Sequence, residues 1–140
     1  MASPTYLIDN SVLARMATPD VARRVAPMID AGLAATCAVT DLEQLFSSRS
    51  AQEHREWREE IALRYIRVPV EQAAFDRAIE VQGILADRGR HRAASIPDLI
   101  VAAVGERAGL PVLHYDRDFD LIADVTGQAA EWVLPRGSID

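Results

Sequence analysis

The chain has 140 residues, enough for one compact domain that buries roughly 68% of its unfolded surface. Hydrophobic residues make up 49% of the sequence, which is sufficient for a substantial core. The net charge of −6 and the pI near 5.0 argue against a general nucleic-acid coat protein, which would normally be basic.

The first 39 residues predict the order strand, helix, helix, strand. Residues 5–8 form a short apolar strand that ends at Asp9, and Ser11 is placed to cap the helix that follows. A second helix comes next, and Pro27 inside it should kink or break it. Residues 33–39 then form a second buried strand.

The middle of the chain predicts helices alone. Residues 40–43 open the first of them, and a helical hairpin follows with apolar side chains at recurring spacing on both arms. These apolar positions are Trp57, Ile61 and Tyr65 on the first arm and Phe75, Ile79 and Leu85 on the second. Gly89 ends the hairpin, and a strongly apolar helix then begins at residues 96–98.

The last third of the chain returns to alternating strands and helices. Residues 111–115 form a third strand that ends at Asp116, residues 119–123 form a short helix, and residues 131–134 form a final strand. The resulting order, β-α-α-β-α-α-α-α-β-α-β, predicts an α/β domain with a mostly parallel sheet. Without a linker or repeat, we expect residues 1–140 to form a single domain.

Four acidic residues lie where predicted strands give way to helices, namely Asp9, Glu43, Asp98 and Asp116. Parallel topology brings these junctions to one edge of the sheet, where such folds bind their ligands. Two carboxylates about 4 Å apart repel each other by roughly 4 kcal/mol, so the cluster requires either protonation or a divalent cation. Oxygen ligands without a set of histidines or cysteines indicate Mg²⁺ or Mn²⁺. Metal-assisted hydrolysis of a phosphodiester is the natural use of such a site.

Each of these carboxylates also has a purely structural interpretation. Glu43 completes a capping box with Thr40, and Asp98 lies in a first helical turn, where it favours the helix dipole. Asp9 and Asp116 fit ordinary turn or cap positions. On this interpretation the acids are caps and the domain is a scaffold without a metal.

Several other chemistries are excluded by residues that the chain lacks. All fifteen basic residues other than histidine are arginine, so there is no P-loop lysine. Receiver domains and haloacid-dehalogenase-type phosphatases would need a lysine as well. The lone Cys37 excludes an internal disulfide, and His114 is expected to be a hydrogen-bonded core histidine. No apolar stretch approaches 18 residues, and no basic leader precedes an apolar core, so we expect a soluble, cytoplasmic protein.

The densest group of positive charge consists of Arg88, Arg90 and Arg92. These arginines are candidates for contacts with RNA phosphates, because cationic side chains supply most of the attraction to a nucleic-acid backbone. The alternative is a solvated loop in which Arg88 favours the C-terminus of its helix.

Four segments together resemble the PIN-domain ribonucleases, specifically the VapC-type toxins of bacterial type II toxin–antitoxin systems. They are Leu7–Leu13, Thr40–Glu43, Ile96–Ala103 and Val112–Phe119, and they cover almost the whole chain in order and spacing. Each segment alone is a weak signal, whereas the four in this order are specific. The resemblance implies a PIN-like three-layer domain with a central sheet flanked by helices.

The resemblance further implies a Mg²⁺- or Mn²⁺-dependent endoribonuclease that is neutralised by a cognate antitoxin protein. By motif position, the catalytic acids are Asp9, Glu43, Asp98 and Asp116, and the metal ligands are Asp9, Asp98, Asp116 and Asp118. Ser11 would support the first acid through its hydroxyl. A homodimer, cleavage that leaves a 5′-phosphate, and transfer or ribosomal RNA as substrate are further implications.

Two functional alternatives remain open from the residues alone. The first is a non-catalytic PIN-like module that binds RNA or a protein without cutting. The second is a metal-dependent DNA nuclease of the flap-endonuclease type, although 140 residues scarcely accommodate the DNA-threading elements of those enzymes.

Overall fold

A parallel β-sheet forms the middle layer of the molecule. The computed structural model describes residues 4–139, which contain five strands and seven helices. The strands are β1 (Tyr6–Ile8), β2 (Ala34–Thr36), β3 (Ile66–Arg67), β4 (Val112–His114) and β5 (Ala130–Trp132). The helices are α1 (Asn10–Leu13), α2 (Pro19–Asp30), α3 (Ala38–Phe46), α4 (Ala51–Arg64), α5 (Gln72–Asp87), α6 (Ile96–Ala108) and α7 (Asp118–Thr126).

Strand β1 lies at the centre of the sheet. The strand order is β3-β2-β1-β4-β5, and every neighbouring pair runs parallel. Leu7 pairs with Ala35 of β2 on one side and with Val112 of β4 on the other. The chain therefore builds the sheet outward in one direction from β1 to β3 and in the other from β4 to β5. The switch point between β1 and β4 is where folds of this kind bind ligands.

Successive residues of the central strands point to opposite faces of the sheet, and helices cover both faces. Leu7 and Val112 belong to an apolar cluster built with α5, α6 and α7. Ile8 and Leu113 belong to a second cluster, built with α1 and α2. The predicted three-layer α/β architecture with a parallel sheet is confirmed.

Helix α6 begins and ends where the sequence predicts. The Ser95 hydroxyl accepts a hydrogen bond from the Asp98 N–H at 3.2 Å, and Pro97 occupies the first turn, where its missing N–H costs nothing. At the other end Gly109 has φ 68°, a left-handed conformation that favours glycine. These caps fix Asp98 in the first turn of the helix.

Gly105 allows α6 to lie very close to the sheet. A Cβ atom at this position would be 2.8 Å from the Val112 side chain, 3.1 Å from the Leu110 carbonyl oxygen and 3.5 Å from the Leu7 side chain. The first of these distances is far shorter than an ordinary contact of about 3.5–4.0 Å between carbon atoms. The missing side chain therefore sets the distance between the helix that carries Asp98 and the strands β1 and β4.

The predicted boundaries around β2 and β3 need correction. Strand β2 ends at Thr36 and α3 starts at Ala38, so the predicted strand over residues 33–39 is wrong beyond Thr36. A short buried apolar run has no period that separates strand from helix. The exposed edge strand β3 was not predicted, because two residues show neither alternation nor burial.

Two helix predictions are also wrong in part. Helix α2 runs from Pro19 to Asp30 without a break at Pro27, and its buried valines hold it against the sheet. On α5, Phe75 and Ile79 are 40% and 66% exposed and do not form the buried face. That face consists of Ala74, Ala78, Val81 and Leu85. Within residues 4–139, no helix has the length and apolar character needed to cross a membrane.

Candidate active site

The carboxyl ends of β1 and β4 bring the predicted acids together. Asp9 follows β1 directly, Asp116 lies two residues beyond β4, and Asp98 approaches from the first turn of α6. One carboxylate oxygen each from Asp98, Asp116 and Asp118 lies within 4.8 Å of the others. The predicted convergence of acidic side chains at one edge of the sheet is therefore present for residues that are up to 107 positions apart in the chain.

Asp9 is held in place by the backbone of the turn that follows it. Its side chain is 3% exposed, and its Oδ2 accepts a hydrogen bond from the Ser11 N–H at 2.9 Å. Its Oδ1 is buried without a hydrogen-bond partner among the described residues. Asp9 is thus the N-cap of α1, and the prediction that Ser11 caps this helix is wrong.

Ser11 instead joins the ends of the two central strands. Its hydroxyl oxygen accepts a hydrogen bond from the Tyr115 N–H, just beyond β4, at 2.9 Å. Burial raises the pKa of Asp9, while hydrogen bonds from the Ser11 hydroxyl and backbone oppose that rise. The expected support of the first acid by the Ser11 hydroxyl stays a prediction.

The turn after β4 is ordered by hydrogen bonds that run from one acid to the next. Asp116 Oδ1 accepts from the Asp118 N–H at 2.9 Å, and Asp118 Oδ2 accepts from the Ser95 N–H at 3.0 Å. The Asp116 N–H in turn donates to Nδ1 of His114 at 3.2 Å. The start of α6 and the end of β4 are therefore tied together through the carboxylate of Asp118.

His114 is fully buried, as predicted for a core histidine. Its ring lies 5.0 Å from the rings of both Phe119 and Trp132, measured between centroids. Burial lowers the pKa of His114 to about 4, so the imidazole is neutral near pH 7 and its Nδ1 is free to accept the Asp116 N–H.

Glu43 reaches the same site from the second turn of α3. Its side chain is half-buried, and its Oε1 has no hydrogen-bond partner among the described residues. Burial, followed by the charges of Asp9 and Asp116, raises the pKa of Glu43 to about 6. The alternative of a capping box with Thr40 is wrong, because α3 begins at Ala38 with Cys37 as its N-cap and Thr40 lies inside the helix.

The pKa of Asp98 is raised further than that of Glu43. Burial raises its pKa to about 9, and a hydrogen bond with Asp118 and the charges of Asp9, Asp116 and Asp118 add to the rise. Its side chain therefore retains a proton near neutral pH unless a positive charge is supplied. The structural alternatives and the convergence coexist, since Asp9, Asp98 and Asp116 all take part in local caps or turns and still face one another.

Sequence reasoning missed one buried acid beside the site. Asp41 is 5% exposed, accepts a hydrogen bond from the Thr36 hydroxyl at 3.1 Å, and pairs with Arg67 at 2.6 Å. Arg67 belongs to β3, and without that strand the partner of Asp41 could not be identified. This ion pair joins α3 to β2 and β3 and lies outside the cluster of Asp98, Asp116 and Asp118.

The structure separates the three arginines that were grouped by sequence. Arg88 pairs with Asp124 at 3.5 Å, and Arg92 is exposed. Arg90 lines a polar cavity of about 510 Å³ together with Arg117, Asp118 and other residues. Only Arg90 of the three therefore shares a cavity wall with a member of the acidic cluster, within residues 4–139.

Comparisons with known proteins agree with this architecture. The sequence profile of the PIN domain matches residues 6–125. Ribonuclease VapC21 of Mycobacterium tuberculosis is 45% identical over 136 residues, which cover 95% of this chain and 96% of the relative. Ribonuclease VapC51 of the same species is 44% identical over 145 residues, covering 96% and 97%.

Solved structures share the fold. The chain superimposes on a structure of DNA-bound VapBC from Salmonella typhimurium with a TM-score of 0.74 at 14% identity, covering 94% of this chain and 99% of the other. It also matches the structure of VapBC-5, a toxin–antitoxin system of Mycobacterium tuberculosis, with a TM-score of 0.56 at 26% identity and coverage of 94% and 98%.

Proposed function

The chain belongs to the PIN-domain family and is related to its VapC ribonucleases, and on that premise we propose that it is an endoribonuclease toxin neutralised by a cognate antitoxin. The observation that carries this proposal is the convergence of acidic side chains from four separate elements at the switch point of the sheet. Stability alone does not explain such a group, because burial and the charges of neighbouring acids raise the pKa of Asp9, Glu43 and Asp98.

The donor set fits a hard divalent cation. Asp98, Asp116 and Asp118 present oxygens within 4.8 Å of one another, and Asp9 has a buried oxygen with no hydrogen-bond partner in residues 4–139. We propose that these four aspartates hold Mg²⁺ or Mn²⁺, since both prefer oxygen ligands. When bound, such a cation acidifies a water molecule and stabilises negative charge on the phosphate.

The residues of the chain divide the remaining tasks among them. The Asp9 carboxylate is oriented by the Ser11 N–H, and the Asp116 carboxylate by the Asp118 N–H. Glu43 has a pKa of about 6, close to neutral, so it is suited to accept a proton from the attacking water. We propose that water attacks the phosphorus while the 3′ oxygen leaves and takes up a proton, so that the products carry a 5′-phosphate and a 3′-hydroxyl. Products that end in a 2′,3′-cyclic phosphate would refute this division of roles.

Two exposed apolar surfaces support the proposed protein partners. One contains Leu42 and Phe46, which lie four residues apart on α3 and are 68% and 90% exposed. The other contains Ile79 of α5 and Ile96 of α6, both 66% exposed. We propose that an antitoxin and a second copy of the chain cover these surfaces. Introducing Phe46→Glu or Ile79→Glu should therefore disrupt antitoxin binding or dimerisation, as measured by co-purification and light scattering.

The decisive experiment is cleavage of total bacterial RNA by the antitoxin-free protein. Reactions contain Mg²⁺, Mn²⁺ or EDTA, and they compare the wild type with Asp98→Asn and with Asp76→Asn as a matched control on the exposed face of α5. Discrete fragments should appear with either metal and disappear with EDTA or Asp98→Asn, while Asp76→Asn behaves as the wild type. Mapping the fragment ends identifies the target among transfer and ribosomal RNAs.

Metal binding is measured separately by calorimetry, so that an absence of cleavage can be attributed either to a lack of bound metal or to a lack of nuclease activity. Intact RNA in every reaction, from protein that binds Mn²⁺, would refute the nuclease on those RNAs and favour the non-catalytic binding module. Protein that neither binds metal nor cleaves would favour the scaffold interpretation. RNA as substrate also places the proposed activity in the cytoplasm.

A further inference from the structure

Three arginines surround the polar cavity that adjoins the acidic cluster. Arg90 comes from the turn after α5, Arg117 from the N-terminal end of α7, and Arg136 from the segment after β5. The cavity has a volume of about 510 Å³, and Asp118 contributes to its wall. Because Asp118 is also a member of the acidic cluster, a ligand in this cavity lies directly beside the candidate catalytic site.

These three guanidinium groups are free to bind an anion. No carboxylate oxygen lies within 4.0 Å of Arg90, Arg117 or Arg136 among residues 4–139, and Arg136 lies over the Trp132 ring at 5.8 Å. Most other arginines of the chain do have a carboxylate partner, namely Arg23, Arg24, Arg49, Arg64, Arg67, Arg77 and Arg88.

The acidic side chains of the cavity wall are already engaged elsewhere. Asp118 accepts a hydrogen bond from the Ser95 N–H, and Asp120 accepts one from Trp132 Nε1 at 3.0 Å. Asp124 pairs with Arg88, which does not line the cavity. Each acid of the wall therefore has a hydrogen-bond or ion-pair partner, whereas among residues 4–139 its three arginines have no carboxylate partner within 4.0 Å.

We propose that this cavity is a subsite for the RNA backbone, in which Arg90, Arg117 and Arg136 bind phosphates next to the scissile bond. Guanidinium groups bind phosphate through two parallel N–H donors, and they do so without reading the base. The proposal rests on the proposed ribonuclease function and specifies where the substrate strand leaves the acidic site. It also replaces the earlier group of Arg88, Arg90 and Arg92, of which only Arg90 lines the cavity.

The subsite predicts a specific loss of RNA binding. Arg117→Gln and Arg136→Gln should each weaken binding of a labelled single-stranded RNA roughly tenfold, the loss expected for one charged hydrogen-bonded contact. Each should also lower the slope of log affinity against log salt by about 0.7, the value for one phosphate contact on a single strand. Arg55→Gln and Arg58→Gln are matched controls, since both are exposed arginines of α4 outside the cavity.

Binding is measured by fluorescence anisotropy in EDTA, so the readout is independent of cleavage. In parallel, steady-state cleavage by the same variants should show a raised KM with little change in kcat, because phosphate contacts away from the reacting atoms bind ground and transition states alike. An equal loss of RNA affinity in the α4 controls would overturn the subsite, and so would unchanged RNA affinity and KM in both cavity variants. If the wild type still cleaves RNA, the proposed ribonuclease function stands in either case.

Two further outcomes separate the subsite from the proposed function and from a rival ligand. In the first, the wild type fails to cleave RNA yet binds it through Arg117 and Arg136. That result would refute the ribonuclease function and support the RNA-binding subsite. The cavity could instead accept an acidic segment of a protein. Variants that lose affinity for the antitoxin and bind RNA normally would therefore overturn the RNA assignment. Thermal melting of each variant verifies that it is folded.

Discussion

Replacing Gly105 by alanine tests whether the position of α6 governs both stability and catalysis. The new Cβ would meet the Val112 side chain at 2.8 Å and the Leu110 carbonyl oxygen at 3.1 Å. Overpacking of a dense interior costs about 1–3 kcal/mol, whereas alanine in a helix is favoured over glycine by about 1 kcal/mol. Since the carbonyl oxygen belongs to the backbone and cannot rotate away, we expect a net destabilisation of about 0–2 kcal/mol.

Gly83 of α5 provides a matched control, because a Cβ at that position would meet no atom within 4 Å. Gly83→Ala should stabilise the protein by about 0.5–1 kcal/mol, so the two variants should differ by about 0.5–3 kcal/mol in urea denaturation. Gly105→Ala should also lower kcat, because a displaced α6 moves Asp98 away from Asp9 and Asp116, and small misplacements of reacting groups have large effects on rate. Equal stabilisation by both substitutions, with full activity, would refute the close approach of α6 to the sheet.

Further predictions concern charge. Asp98→Asn should abolish cleavage yet stabilise the metal-free protein near pH 8 by roughly 1–4 kcal/mol. The reason is that the folded pKa of the Asp98 carboxyl group lies far above its unfolded pKa, and a neutral amide removes the resulting cost to stability. Urea denaturation in EDTA measures the change. For the same reason the metal-free wild type should lose stability as the pH rises from about 6.5 toward about 9. Below pH 6.5, protonation of His114 in the unfolded chain offsets the stability gained from protonated Asp98, because burial holds the folded pKa of His114 at about 4. Saturating Mn²⁺ should flatten that pH dependence, and a flat profile in EDTA would contradict the raised pKa. Arg67→Met should destabilise the fold by about 1–2 kcal/mol, a modest value because Arg67 is half exposed. Adding Asp41→Asn should recover most of that stability. Equal stability of Arg67→Met and the wild type in urea would show that the ion pair with Asp41 does not stabilise the fold.

The features that could be predicted from the sequence are those that one segment encodes by itself. Helix α6 carries its own caps at Ser95 and Gly109, so its limits are correct. The strands before Asp9 and Asp116 are apolar and end at polar turns, so their positions are correct. Convergence of the acids followed from parallel topology, which needs no side-chain detail.

The features that were missed depend on contacts between distant segments. Strand β3 exists because Ile66 and Arg67 pair with β2, and Arg67 meets the buried carboxylate of Asp41. The cavity lined by Arg90, Arg117 and Arg136 combines three separate parts of the chain, so the sequence does not indicate it. The cap of α1 was assigned to the wrong residue because Asp9 and Ser11 are both good N-caps, and only the position of β4 engages the Ser11 hydroxyl elsewhere.

The placement of β1 beside β4 also has a consequence for the timing of toxicity during synthesis. Asp9 emerges early from the ribosome, whereas its neighbour Asp116 follows more than about 100 residues later, which takes roughly 5–20 s at ordinary translation rates. Until then the nascent chain lacks β4, one of the two strands that pair with β1, and the turn that completes the acidic group. A cell that translates this chain therefore has an interval of seconds in which an antitoxin can be made before any RNA is at risk.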